Sequence, residues 1–111
     1  MLRALLVGLA LTGPAAAEEW VALDGAQLEA ALNDTTLQYE GARQVFYKSG
    51  RTLYDAGRPS WGNWAARGDK YCSEWPPAAG WDCYRVERHS SDTMIRFISE
   101  TGHVTDGKIV E

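Results

Sequence analysis

With 111 residues and a formal net charge of −4, the chain has room for one small domain and little for a second. Its 11 Lys and Arg residues are spread nearly singly, and its 15 acidic residues are scattered. That excludes the concentrated basic face that nucleic acid or anionic lipid requires of a partner.

The chain opens MLRALLVGLALTGPAAA: one basic residue (Arg3), an apolar run from Ala4 to Leu11, then Pro14 and the small-residue pattern of Ala15 and Ala17. This reads as a secretory signal peptide over residues 1–17, cleaved after Ala17. The apolar run is far shorter than the roughly 20 residues of a bilayer span, so no stable membrane insertion is expected after cleavage. Residues 18–111 then form a single small β domain of charge −5, since Arg3 leaves with the leader, and its expected location is the periplasm or outside the cell.

One helix is predicted over LDGAQLEAALN, residues 23–33. Asp24 is its N-cap, Gln27 closes a capping box, and Leu23 is placed to staple onto Leu28. Leu28, Ala31 and Leu32 form a stripe at helical spacing, read as a lid over a sheet.

From Thr35 onward the pattern changes to short strand-forming segments divided by turn chemistry. The candidate strands are 35–39, 43–48, 51–55, 61–66, 70–75, 81–88, 93–99 and a terminal segment within 103–111. Connections this short join antiparallel neighbours, because a parallel crossover needs about a dozen residues or more. The predicted fold is mainly β: an up-and-down antiparallel meander of about seven to eight strands with one short N-terminal helix. Such a meander curls strongly or closes into a small barrel, which removes exposed edges. Alternation supports one buried face, with Ile95 and Phe97 opposite Arg96, and Tyr84 and Val86 opposite Arg85 and Glu87.

Both cysteines lie in KYCSEWPPAAGWDCYRV, residues 70–86. Antiparallel pairing centred between Pro77 and Ala78 sets Cys72 directly opposite Cys83, and in an exported chain with two cysteines a structural disulfide is the expected outcome. Neither a C-x-x-C spacing nor a four-ligand zinc pattern is present: only His89 and His103 could join the pair, and each sits beside a turn. No metal site is therefore expected. By alternation Trp81 falls on the cysteine side of the sheet and Trp75 on the other.

Trp61, Trp64, Tyr71, Trp75, Trp81 and Tyr84 crowd a short central stretch and form the candidate binding surface, against the simpler reading that they fill the core. No catalytic residue is assigned. His89 with Asp92 and His103 with Asp106 are proximities at turns rather than a nucleophile–base pair, and no phosphate-cradling glycine motif occurs.

Two resemblances follow from particular residues. Gly62-Asn63-Trp64 is similar to the G-x-W of the lipocalins, which implies a calycin-like barrel holding a small apolar ligand. The helix segment Leu23 to Leu32, Gly50 to Asp55, and the S-W-G-x-W, Y-C-S-x-W-P-P and W-x-C-Y segments resemble a group of short exported bacterial proteins often labelled dihydrodipicolinate reductase. That label implies nicotinamide-dependent reduction on a Rossmann domain with a histidine-lysine signature, neither of which this chain displays.

The residues themselves point to a non-enzymatic module without a cofactor that binds a small molecule or an envelope protein. A second reading is an inhibitor in which the braced 76–80 loop enters a target site.

Overall fold

The computed structural model describes residues 19–110; the expected leader, its cleavage site at Ala17 and Glu111 lie outside the described residues. In chain order the elements are β1 (Trp20–Ala22), α1 (Gly25–Leu32), β2 (Thr35–Tyr39), β3 (Ala42–Phe46), β4 (Arg51–Asp55), β5 (Pro59–Arg67), β6 (Lys70–Glu74), β7 (Asp82–His89), β8 (Met94–Ser99) and β9 (Val104–Val110).

Strands β2 to β9 each pair antiparallel with their neighbours in the chain, and β9 returns to β2 with Leu37 opposite Ile109. The meander is thus a closed eight-stranded barrel, with neither a free first strand nor a free last one. Strand β1, which sequence reasoning did not anticipate, is a ninth strand outside the barrel. It pairs with the last residues of β7, Trp20 opposite His89, along the edge that β6 occupies further back at Tyr84. At three residues it carries too little alternation to be recognised, and only the length of β7 makes a place for it.

The helix forms where its capping chemistry directs. Asp24 Oδ1 accepts from the Gln27 amide and Gln27 Oε1 accepts from the Asp24 amide, each at 2.9 Å, so two otherwise orphaned donors are satisfied. Its first turn is anchored to the β5–β6 turn by a hydrogen bond from the Gly25 amide to Asp69 Oδ1 (2.9 Å). A side chain on Gly25 would run into the Gly68 carbonyl, so glycine permits this approach. The predicted stripe is buried through Leu28 and Leu32, both fully inaccessible. It plugs one end of the barrel.

Inside, Phe46 occupies the middle of the core. Its ring lies 5.9 Å from that of Trp64, 5.7 Å from Tyr71 and 6.2 Å from Phe97. Leu37, Val86 and Ile95 join Leu28 and Leu32 in filling the helix-capped half. The other half, beyond Phe46, is bounded by the β2–β3, β4–β5, β6–β7 and β8–β9 connections and is open.

Cys72 and Cys83 are bonded, in direct register across β6 and β7, with Cα atoms 4.0 Å apart. The inward positions of β6 are Tyr71 and Ser73, so the cystine lies on the outer surface of the barrel wall, where Cys72 is nevertheless completely covered.

Candidate functional site

The open half of the barrel holds a cavity of about 650 Å³. Alternation along each strand aims one or two side chains into it: Tyr39 from the end of β2, Gln44 from β3, Tyr54 from β4, Tyr71 and Ser73 from β6, Tyr84 from β7 and Phe97 from β8. Trp75, directly after β6, continues the inward parity of Tyr71 and Ser73 and closes the wall. Its indole lies where Gly62 of β5 leaves room: a Cβ at Gly62 would come within 2.5 Å of Trp75 Cε3 and 2.6 Å of the Glu74 carbonyl oxygen. The glycine of the Gly62-Asn63-Trp64 motif is there to admit an indole from the adjacent strand.

The rings touch in sequence around the mouth. Trp75 meets Tyr54 edge to face (6.1 Å), Tyr54 meets Tyr39 (6.3 Å), Tyr39 meets Phe97 (6.4 Å), and Phe97 meets both Tyr71 (5.1 Å) and Tyr84 (6.4 Å). Beneath them runs a hydrogen-bonded floor. Tyr39 Oη donates to Gln44 Oε1 at 2.8 Å, and Gln44 Nε2 donates to Thr52 Oγ1 at 3.0 Å and to Tyr71 Oη at 3.3 Å. Trp75 Nε1 donates to Ser73 Oγ at 3.2 Å. Buried Gln44 thereby uses both of its N–H groups and its carbonyl, as a buried amide must.

Burial governs the ionisation of this wall. Desolvation pushes the Tyr71 hydroxyl up to about 12, although hydrogen bonds with Ser73 and Gln44 work against the shift. Desolvation also holds Tyr39 far above the ordinary phenol range, with the neighbouring tyrosines adding to it, and raises Tyr84, with Asp82 contributing. These three phenols are therefore neutral at physiological pH. Among the described residues no lysine or arginine lines the cavity. Of the two carboxylates that line it, Asp106 is held by Arg96 in a two-point ion pair (2.8 and 3.0 Å), whereas Glu40, in the β2–β3 turn, has no ion pair among the described residues.

The six aromatic residues singled out by sequence part company here. Tyr71, Trp75 and Tyr84 stand in the cavity wall. Trp64 is buried in the closed half, where its Nε1 donates to the Tyr47 carbonyl at 2.9 Å and its ring stacks on Tyr71 at 6.2 Å. Trp61 sits on the outer face, 47% exposed, stacked on Tyr47 with the Arg51 guanidinium 4.8 Å above it. Trp81 is also outside, with the guanidinium of outward-facing Arg67 over its ring at 3.9 Å. The expected split between Trp75 and Trp81 thus follows strand parity.

Ser60, Val104, Thr105 and His103, the histidine set beside a turn by its sequence, also line the cavity. Tyr39, Gln44, Tyr54 and Phe97 are wall residues that the aromatic crowding did not mark, because they come from outside the crowded stretch. Each lies at an inward position of a predicted strand. Parity alone could have pointed them inward, but not to the open end.

Compared with models of protein families, with curated proteins and with solved structures, the chain matches none.

Proposed function

We propose that the protein is an exported barrel that binds a small molecule in its open mouth and carries out no chemistry on it. One observation supports this above all: a cavity of about 650 Å³ bounded by six aromatic rings whose polar floor is already satisfied from within. That volume falls inside the range of small-molecule pockets, which combine apolar walls with a few fixed polar groups. The buried Tyr39 and Tyr71 phenols stay protonated, and the Ser73 hydroxyl is engaged by an indole rather than by a base. The leader-like first residues and the cystine support an oxidising compartment, the periplasm or the exterior. Among the described residues no helix is long and apolar enough to cross a membrane.

A thermal-shift screen with an apolar fluorescent dye and a small-molecule panel tests the pocket. A ligand present at about 100 times its Kd raises stability by about 2.7 kcal/mol. The expected result is a higher Tm that is lost in Trp75→Ala. A panel that leaves the Tm unmoved, together with capture of an envelope protein abolished by substitutions in the exposed Pro76–Gly80 loop, would establish the inhibitor reading instead.

A further inference from the structure

We infer that the mouth cavity is built for an organic cation, an alkylated or quaternary ammonium group, seated among Tyr39, Tyr54, Trp75, Tyr84 and Phe97. This rests on the reading of the cavity as a small-molecule site and names the class of its ligand.

The amide, indole and Tyr39 hydroxyl donors of the wall are spent on the protein itself. The Tyr39 hydroxyl, both N–H groups of Gln44 and the Trp75 indole N–H all point to protein acceptors. What the wall then offers a guest is the rings themselves and the oxygens of its hydroxyl groups. Both carry negative potential, and a cation near a ring face is attracted by the ring quadrupole. The hydroxyls of Tyr54 and Tyr84 have no hydrogen-bond partner among the described residues, which leaves their oxygens available to a guest.

Formal charge points the same way. No lysine or arginine competes for the rings, and the one lining carboxylate without an ion pair among the described residues is Glu40, in the turn directly after Tyr39. An anion entering here would meet aromatic rings and the Glu40 carboxylate, with His103 the one lining side chain among the described residues able to carry a positive charge. A metal ion is a poor guest, because no group of three or more His, Cys, Asp or Glu side chains among the described residues is arranged to hold one. A strongly hydrated ion would also lose its water shell to rings that replace it inadequately. An alkylated ammonium is weakly hydrated and buries methyl groups as it enters, so it gains from the apolar wall and the ring potential together. At about 650 Å³ the cavity exceeds a trimethylammonium group, so the guest carries a further moiety beyond its charged head.

Calorimetric titration of the exported protein with choline, and with its uncharged isostere in which a quaternary carbon replaces the nitrogen, decides the matter. Choline is expected to bind at least about tenfold more tightly than the isostere, the order of one desolvated cation–ring contact. The preference should vanish in Tyr54→Leu. Should that variant fail to fold, the affinity ratio in the unaltered protein decides alone. Equal affinity for the two probes overturns the cation inference while leaving the pocket reading intact. So does failure of choline to bind while an apolar dye still raises the Tm in a Trp75-dependent way. If the dye also fails, both readings fall.

Discussion

Tyr71 and Tyr84 face each other across β6 and β7 one residue from the Cys72–Cys83 bridge, their rings 6.0 Å apart on the inner wall while the cystine lies on the outer one. The covalent link holds the register of two strands, and because side chains alternate, that same register places two cavity tyrosines side by side. A slip of one residue by either strand would turn its tyrosine to the outside.

Replacing both cysteines by alanine should therefore cost stability and binding together. Closing a loop of this length contributes about 3 kcal/mol on the chain-entropy model, a large share of the stability of so small a domain. Thermal melts with and without reductant check it: the Tm should fall markedly on reduction, and an unchanged melt with both thiols freely labelled would exclude the structural role.

Gly62→Ala should disturb the mouth specifically. The new methyl would press on the Trp75 ring and on the Glu74 carbonyl, and since the second is backbone it cannot simply rotate away. Overpacking of this kind costs about 1–3 kcal/mol. Near-ultraviolet circular dichroism should show a displaced tryptophan, and ligand affinity should fall even where the barrel still forms.

Trp75 and Trp81 flank the same loop but should behave oppositely. Trp75→Ala removes one wall of the cavity and should abolish ligand-dependent stabilisation in the thermal-shift assay. Trp81→Ala removes only an outer-surface contact with Arg67, worth about 0.5–1 kcal/mol, and should leave binding unchanged.

At the closed end, the plug should matter more than the cap. Asp24→Ala loses the capping box at a cost of about 1 kcal/mol. Leu28→Ala hollows a fully buried site and should cost about 2–5 kcal/mol. Denaturant titrations of the two variants give the comparison directly, and equal losses would mean that Leu28 does not seal the barrel.

Alkaline pH should unfold the protein over a definite window. Tyr71 ionises near 10.0 in the unfolded chain and at about 12 in the barrel, so between those values the unfolded state binds fewer protons and stability falls as pH rises. The slope approaches about 1.4 kcal/mol per pH unit for each buried phenol, with Tyr39 acting in the same direction. Below pH 10 these groups should make no difference. Phenolate absorbance followed alongside far-ultraviolet circular dichroism should show the buried tyrosines ionising only as structure is lost.

Local chemistry alone determined a good deal of this protein. The Asp24–Gln27 box, the strands at 35–39 and 51–55, the inward parity of Ile95 and Phe97 and the facing cysteines all depend on residues near one another in the chain. Capping, turn chemistry and period-two alternation act over that range, so they are legible in one dimension. What only the tertiary structure decided is closure and polarity. The pairing of β2 with β9, the seat of β1 on β7, and the choice of which end the helix plugs join segments from distant parts of the chain. Closure is also what brings Tyr39, Gln44 and Tyr54 round to meet Tyr71, Trp75 and Tyr84. A strand's alternation states which face a residue takes, but the depth of that residue along the barrel axis follows from the registers of all eight strands together, and that depth separates core from cavity.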